Sequence, residues 1–362
     1  MAGLIPAGQF PPGFTAAVHA RFDELQDIKV NDFGRSFFPV KLCPDRYPVI
    51  EVRRGTEKVA IDTVRGSIGT RTQITKFDAK VYDPFYYDLW FDATEMTPYF
   101  KAFGSSSYNV NAGAELANGM ALALDENKKM IERARELMAF QVFENGTITS
   151  LRDNSVIDFK RQAASMVALP AGQTWDTPGV DPNISLKAGG DFLRQVGKAS
   201  GYVINAICGT AAWDALINNS SFKERLKEFN NNRDMLPQAQ KLATGEIFQG
   251  EITVSSYKFR FYTYNEFYDN PASTVANPLP QLTYKNPKTV VLLPENPMFT
   301  CLCGAIPQIG MGGVDTASLI VAEYVVQDYI NREGRYHRFH TESAPINVPI
   351  TVDRIYTLQA IL

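Results

Sequence analysis

The hydrophobic and polar positions show their clearest helical period between residues 112 and 144. Apolar side chains recur there at spacings of three, four or seven residues, which places on one helical stripe Leu116, Met120, Leu124, Ile131, Ala134, Met138 and Val142. The opposite face carries charged side chains, namely Asp125, Lys128, Lys129, Glu132, Arg135 and Glu136. The pattern predicts a helix of roughly 45 Å, at about 1.5 Å per residue. An apolar stripe of that length needs a long flat partner, such as a sheet. An ordinary core helix of an α/β enzyme would show the same apolar stripe.

From Val49 to Trp90 the pattern changes to the alternation that is typical of strands. Segment 59–64 is β-prone, segment 65–69 is a turn-rich tip, and segment 70–82 alternates again. Each face of the returning strand mixes polar and apolar side chains, so neither face suits the core of a monomer. Because a two-stranded ribbon is only marginally stable alone, we predict that residues 55–85 form a ribbon that packs on a neighbouring subunit.

The remaining elements mix helices with short strands. Residues 147–160 read as a hairpin with favourable turn chemistry. We predict helices over 186–200, 209–218 and 222–229, and strands over 202–208, 247–254, 256–264, 289–293, 346–350 and 354–361. Helix, strand and helix in succession after residue 186 indicate an α/β segment.

The first 50 residues are broken by prolines and rich in phenylalanine. One helix fits at about 15–28, and the aromatic side chains that need burial are Phe10, Phe14, Phe33, Phe37 and Phe38. A compact domain buries such side chains internally, whereas an assembling subunit lays the arm on its neighbour.

Composition describes a globular protein of 362 residues with 45% hydrophobic and 21% charged residues. No run of 18 apolar residues is present, and the N-terminus does not read as a signal peptide. Four cysteines without a disulfide framework suit a reducing compartment. A net charge of −3 argues against a broad nucleic-acid-binding surface.

No pattern of residues requires catalysis, a cofactor or a metal. Cys301 and Cys303 could in principle join His337 and His340 around a metal, but the spacing matches no zinc pattern, and buried free cysteines are the commoner outcome. The acidic side chains Glu323, Asp328 and Glu333 have no basic or histidine partner at helical spacing, so they read as surface residues.

Four segments, in order, carry a resemblance to a known family. They are GQTWD at 172–176 ahead of Asp181-Pro182, GTAAWDAL at 209–216, VLLPEN at 291–296 and ESAPINVPITVDRI at 342–355. The chain resembles the tailed-phage major capsid proteins in the branch of the lambda head protein, over residues of about 30–362. The closing segment is the most specific of the four.

This resemblance implies an α+β chain with the Hong Kong 97-type capsid fold. That fold has an N-terminal arm, an extended β ribbon called the E-loop, a peripheral domain on a long spine helix, and an inserted α/β axial domain. The expected boundaries are 1–54 for the arm, 55–90 for the ribbon, 91–185 for the peripheral domain with its spine helix at about 112–144, 186–324 for the axial domain, and 325–362 for the return to the peripheral domain.

The resemblance also implies a structural, non-enzymatic protein of the virion that forms an icosahedral shell around double-stranded DNA. The expected partners are copies of itself in hexamers and pentamers, a separate scaffolding protein, a portal protein and in some cases a decoration protein, with assembly in the bacterial cytoplasm and no membrane. The open alternatives are an encapsulin-like compartment shell and, in a different class, an α/β enzyme. The candidate assembly contacts are Arg65, Arg71, Lys76, Phe77, Arg233 and Asp234.

Overall fold

A computed structural model describes residues 32–53, 77–94, 112–229, 239–274, 276–309, 317–331 and 336–362. Within these residues the helices are α1 (Phe33–Ser36), α2 (Ala112–Asn145), α3 (Pro182–Gln195), α4 (Thr210–Asn218) and α5 (Ser220–Phe229). The strands are β1 (Val40–Leu42), β2 (Val49–Arg53), β3 (Phe77–Val81), β4 (Tyr87–Thr94), β5 (Thr147–Thr149), β6 (Val156–Asp158), β7 (Met166–Ala168), β8 (Val203–Cys208), β9 (Gln240–Lys241), β10 (Ile247–Val254), β11 (Tyr257–Thr263), β12 (Phe267–Tyr268), β13 (Leu282–Thr283), β14 (Thr289–Pro294), β15 (Phe299–Cys303), β16 (Ile306–Ile309), β17 (Ala317–Ile320), β18 (Val325–Asn331), β19 (Tyr336–Ser343), β20 (Pro345–Pro349) and β21 (Tyr356–Gln359).

The long helix is confirmed: α2 runs for 34 residues and ends one residue beyond the predicted boundary. Gly146 follows with a φ of 67°, the left-handed conformation that glycine adopts at low cost. The guanidinium of Arg161 closes this end by donating to the carbonyls of Phe143 at 3.0 Å and Glu144 at 3.3 Å. Burial lowers the pKa of Arg161 to about 10.

Two residues of the charged face of α2, Arg135 and Glu136, are buried. Buried charged groups persist only where hydrogen bonds or opposite charges compensate their lost hydration. Both residues have such partners, which come from parts of the chain that are far away in sequence.

The described residues divide into two compact units. The hairpin unit comprises residues 87–94, 112–132, 324–331 and 336–343. The core unit comprises residues 32–53, 77–86, 133–229, 239–274, 276–309, 317–323 and 344–362.

The hairpin unit is a three-stranded antiparallel sheet in the order β18-β19-β4, with the first part of α2. One face of this sheet carries Phe91 and Phe339, whose rings stack with centroids 5.2 Å apart. On the same face, the amide of Asn127 on α2 lies 3.4 Å from the hydroxyl of Thr341. The helix therefore covers this face, and the side chains of the opposite face point away from it.

A seven-stranded mixed sheet dominates the core unit, in the order β7-β21-β14-β8-β11-β10-β9. The central strands β8 and β14 are buried at every position, as expected for strands that are covered on both faces. Helix α4 packs on this sheet through Trp213 against Phe261, with ring centroids 5.5 Å apart, and α3 packs through Phe192 against Tyr356 at 5.6 Å. The predicted strands 202–208, 247–254, 256–264, 289–293 and 354–361 are all confirmed as parts of this sheet.

Helix α3 begins four residues before the predicted start at residue 186. The carboxylate of Asp181 accepts a hydrogen bond from the amide of Asn183 at 3.0 Å, and Pro182 occupies the first helical turn. An Asp cap followed by proline is a favourable start for a helix. The predicted start at residue 186 did not include this cap and proline.

The phenylalanines of the described part of the arm are packed within their own chain. Phe38 is buried and stacks on Phe299 with ring centroids 5.1 Å apart, while Phe33 stacks on Tyr264 at 5.7 Å. Strand β1 then pairs in parallel with β15, at the edge of the three-stranded sheet β1-β15-β20. Phe10, Phe14 and the predicted helix at 15–28 lie outside the described residues.

The base of the predicted ribbon is present as the antiparallel pair β2–β3, in which Val49 lies opposite Val81 and Arg53 lies opposite Phe77. Both valines are exposed. The intervening residues 54–76 lie outside the described part of the chain.

Candidate assembly surface

The assembly contacts that were proposed from the sequence lie almost entirely outside the described residues. These are Arg65, Arg71, Lys76, Arg233 and Asp234. Phe77 is the first residue of β3, where its backbone pairs with Arg53. All six therefore stay predictions.

Glu136 anchors the start of the arm to helix α2. Its carboxylate accepts hydrogen bonds from the amides of Gly34 and Arg35, both at 2.8 Å, and from the hydroxyl of Tyr264 at 3.0 Å. Burial raises the pKa of Glu136 to about 7, although these hydrogen bonds favour the charged form. Burial and the neighbouring Glu136 carboxylate raise the pKa of Tyr264 well above its ordinary value. The short helix α1 of the arm is thus anchored to α2 by a single buried carboxylate.

Arg135 forms an ion pair with Glu323. The guanidinium is buried, whereas the side chain of Glu323 is 36% exposed. The two residues are 188 positions apart in the chain, beyond the reach of helical spacing. The backbone carbonyl of Arg135 also accepts a hydrogen bond at 2.8 Å from the amide of Asn347, in the closing segment 342–355.

Asn219 joins two of the segments that carried the family resemblance. Its amide nitrogen donates to the carbonyls of Trp175 at 3.0 Å and Val180 at 2.9 Å. Its oxygen accepts from the amides of Ser221 at 3.0 Å and Phe222 at 3.3 Å, in the first turn of α5. The turn at 172–176 is therefore fixed against the junction of α4 and α5.

The face of the β18-β19-β4 sheet that points away from α2 carries an ordered row of aromatic and charged side chains, which we call the open face: Asp88, Trp90, Asp92, Tyr336, Arg338 and His340. The guanidinium carbon of Arg338 lies 3.8 Å from the ring centroid of Trp90 and 5.1 Å from that of Tyr336. Asp92 holds the same guanidinium through two hydrogen bonds of 2.7 and 2.9 Å. The hydrogen bond from Arg338 lowers the pKa of Asp92 below its ordinary value.

Within the described part of the chain, one cluster of acidic and histidine side chains is compact enough to approach a single ion: Asp88, His340 and Glu342. The His340 ring nitrogen Nδ1 lies 2.8 Å from a carboxylate oxygen of Asp88, and the amide of Gln327 donates to Glu342 at 2.8 Å. These distances are those of ordinary cross-strand hydrogen bonds.

The two cysteines of β15, Cys301 and Cys303, are buried, as predicted for free thiols in an apolar strand. Cys208 is likewise buried, and burial raises the pKa of its thiol to about 12. A thiol with a raised pKa is a poor nucleophile at neutral pH. Among the described helices, none is long and apolar enough to cross a membrane.

Comparison with known protein families identifies the family of this chain. The family described as "Phage major capsid protein E" matches residues 29–360. The chain belongs to this family. Its role is therefore structural rather than enzymatic, in the shell of a phage particle, and the α/β enzyme that the long helix left open is set aside.

Solved structures show the fold of this capsid protein. A protein assigned as the capsid protein of an Escherichia coli prophage matches with a TM-score of 0.58 at 14% identity, covering 92% of this chain and 94% of that chain. The fold is thus the Hong Kong 97-type capsid fold that the resemblance implied.

Two further structures match less closely. A phage-related protein from Bordetella bronchiseptica matches with a TM-score of 0.49 at 12% identity, covering 92% of this chain and 93% of that one. The holo encapsulin complex of Synechococcus elongatus matches with a TM-score of 0.48 at 10% identity, covering 96% of this chain and 92% of that one. No curated protein matches the chain.

Proposed function

We propose that this capsid protein assembles into a closed icosahedral shell of hexamers and pentamers that encloses double-stranded DNA. The observation that carries the proposal is the family match, which spans residues 29–360 and so includes every element described above. A shell subunit must present surfaces to its copies. The half-exposed Trp90 on the open face and the exposed valines at the base of the ribbon are consistent with that need.

We assign the parts of the chain to the parts of the capsid fold. Residues 1–54 form the N-terminal arm and 55–90 the E-loop ribbon. Residues 91–185 form the peripheral domain, with α2 as its spine helix, while 186–324 form the axial domain and 325–362 return to the peripheral domain. The 34-residue length of α2 and the pairing of β2 with β3 at the ribbon base support this assignment.

Two sets of contacts join neighbouring copies in this proposal. The ribbon, including Arg65, Arg71, Lys76 and Phe77, packs on an adjacent subunit. In the loop 230–237, Arg233 of one copy pairs with Asp234 of the next around each capsomer, because a cyclic ring sets one surface against a different one. An exposed pair contributes at most about 1 kcal/mol, but it repeats in every subunit.

The charge-swap experiment tests the ring contact directly. Arg233→Asp alone places two acidic residues opposite each other and should reduce shell yield. Exchanging both residues, as Arg233→Asp with Asp234→Arg, should restore the yield. Normal assembly of Arg233→Asp would show that this pair is unimportant.

The shell forms with help from other proteins in the bacterial cytoplasm. We assign scaffolding to a separate protein, the DNA entrance to a portal protein, and allow a decoration protein on the outer surface. Efficient assembly of uniform shells from this chain expressed alone would contradict the assignment of a separate scaffolding protein.

DNA is confined by the wall rather than bound by it. The net charge of −3 supplies no excess of cations for neutralising phosphates. A wall that neutralised Z phosphates would show an affinity that falls with salt at a slope of about −0.9Z. We therefore expect purified capsomers to bind DNA weakly and with little dependence on salt; tight, salt-sensitive binding would contradict confinement.

Particle formation is the experiment that tests the shell itself. The chain is expressed with and without the genes that flank it in its phage, and the lysates are examined by size-exclusion chromatography and negative-stain electron microscopy. Closed particles that protect DNA from nuclease are expected. Closed particles that enclose protein cargo instead would indicate a compartment shell, and a small soluble species under all conditions would overturn the proposal.

A further inference from the structure

Three side chains of metal-ligand type meet at one end of the open face. Asp88 on β4 lies directly opposite Glu342 on β19, and His340 lies two residues before Glu342, on the same face of the sheet. One ligand atom from each of these side chains lies within 4.8 Å of the other two. Ligand atoms that bind one cation at about 2.1 Å are roughly 3 to 3.5 Å apart, so small side-chain rotations bring these three onto a single ion.

The two opposed carboxylates favour a cation between them. Like charges at directly opposite positions destabilise an antiparallel pair of strands. The side chain of Glu342 is buried, which makes its charge more costly than that of an exposed acid. The guanidinium of Arg338, on the same face, is held by two hydrogen bonds to Asp92. A divalent cation between Asp88 and Glu342 would replace the repulsion with two attractive contacts.

The imidazole of His340 supplies the third ligand atom. Its Nδ1 atom lies 2.8 Å from a carboxylate oxygen of Asp88, which is the distance of a hydrogen bond. A cation takes the position of the hydrogen between these two atoms, while the ring hydrogen is carried on Nε2. The imidazole then remains neutral, as a histidine ligand must be. The hydrogen bond and the metal site therefore use the same atoms.

The surroundings orient the ligands and give a cation access from solvent. The amide of Gln327 on β18 donates to a carboxylate oxygen of Glu342 at 2.8 Å. Partners of this kind fix the orientation of metal ligands and contribute to the affinity of the site. Asp88 is exposed whereas Glu342 is buried, so one side of the site faces solvent. A bound ion can therefore keep water molecules at its remaining positions.

The set of ligand atoms indicates the class of metal. Ca²⁺ and Mg²⁺ prefer sites that are built of oxygen atoms. One imidazole nitrogen with two carboxylate oxygens instead suits a divalent transition-metal ion. Zinc sites with three protein ligands of these types commonly hold a water molecule in the fourth position.

We propose that Asp88, His340 and Glu342 bind one divalent transition-metal ion, with Zn²⁺ as the cation to be tested. The ion bridges β4 and β19, in which Asp88 and His340 are 252 positions apart in the chain. A ligand that binds only the folded state raises the free energy of unfolding, so the ion stabilises the hairpin unit. This metal site goes beyond the proposed function and does not depend on shell formation.

Titration of the purified full-length chain with Zn²⁺ tests the site. After a chelator has removed any bound metal, isothermal titration calorimetry should show a site for one Zn²⁺ per chain, which an equal concentration of Mg²⁺ does not displace. His340→Gln and Glu342→Gln should each weaken Zn²⁺ binding by about tenfold or more. His337→Gln is the matched control, because His337 lies on the same strand with its ring against Phe339, on the other face of the sheet. Its affinity for Zn²⁺ should equal that of the unmodified chain.

Two further measurements separate this site from binding elsewhere in the chain. Co²⁺ in place of Zn²⁺ should give the visible absorption of nitrogen and oxygen ligands, without the charge-transfer band that a thiolate ligand such as Cys43 adds. In the unmodified protein, Zn²⁺ should lower the acylation of His340 by diethyl pyrocarbonate and leave that of His337 unchanged. This second readout requires no variant to fold.

The outcomes that would overturn the metal site are specific to it. They are unchanged Zn²⁺ affinity in His340→Gln and Glu342→Gln, a thiolate band with Co²⁺, or equal acylation of His340 with and without Zn²⁺. Absence of Zn²⁺ binding by the unmodified chain would overturn the inference as well. None of these results bears on particle formation, so the proposed function is tested separately.

Discussion

The carboxylate of Glu136 accepts a hydrogen bond from the backbone amide of Gly34 at 2.8 Å, across 102 positions of sequence. The amide of Arg35 and the hydroxyl of Tyr264 complete its shell of donors. All of these groups lie in the core unit. A side chain on the charged face of the helical pattern is therefore the point at which the arm is anchored to α2.

Replacing this carboxylate should destabilise the arm and the unit that holds it. Glu136→Ala leaves two amides and one hydroxyl without their acceptor, and we expect the free energy of unfolding to fall by about 2–4 kcal/mol. Chemical denaturation of the unassembled protein measures this loss. Glu224→Ala, at an exposed position of α5, is the matched control and should change stability by less than about 0.5 kcal/mol. Equal stability of the two variants would contradict the anchoring role.

The same residue predicts a dependence of stability on pH. The pKa of Glu136 is raised from 4.5 to about 7, so between these values the folded state binds more protons than the unfolded state. The contribution of Glu136 to stability is therefore fully present below pH 4.5 and is lost as the pH rises through 7. The loss should be on the order of 3 kcal/mol.

A comparison with Glu136→Gln isolates this contribution, because the amide does not titrate. As the pH is raised from 5 to 8, the free energy of unfolding of the unmodified protein should fall relative to that of Glu136→Gln, by about the amount given above. A difference that is constant over this range would show that Glu136 titrates at the same pH in both states.

Gly209 should tolerate no side chain, although its φ of −69° is open to any residue. A Cβ atom there would lie 2.3 Å from the carbonyl oxygen of Asn286 and 2.5 Å from backbone atoms of Pro287, and backbone cannot rotate away. We expect Gly209→Ala to cost about 2–4 kcal/mol. Gly209 directly follows strand β8, and Gly201 lies just before the same strand. Gly201→Ala places its Cβ 4.0 Å from the nearest atom, so the free energy of unfolding should be nearly unchanged in the same denaturation measurement.

Asn219 allows its two roles to be separated. Asn219→Ala removes the cap of α5 together with the donors to Trp175 and Val180, and should cost about 2–3 kcal/mol. Asn219→Ser keeps an oxygen that can cap the helix but loses the donors, so its thermal midpoint should fall between those of the unmodified protein and Asn219→Ala. Identical midpoints for Ser and Ala would mean that the cap contributes nothing.

Local patterns in the sequence determined most of the elements in the core unit. The bounds of α2, β8, β10 and β14 follow from hydrophobic periodicity and from glycine or proline at their ends, which are properties of neighbouring residues. The order of four short segments was sufficient to indicate the capsid family. The start of α3 was missed only because Asp181-Pro182 reads equally well as a turn.

What only the tertiary structure decided is where the charged side chains go. Arg135 and Glu136 occupy polar positions of the helical pattern, yet they are buried because Glu323 and the amides of the arm reach them from distant parts of the chain. The open face arises in the same way: Trp90 and Arg338 are 248 positions apart in the numbering and meet only through the register of β4 with β19. The hydrophobic period shows which positions of a helix or strand share a face. Whether a charged side chain on that face is buried and paired depends on which strands and helices it meets, and those contacts are set by the packing of the whole chain.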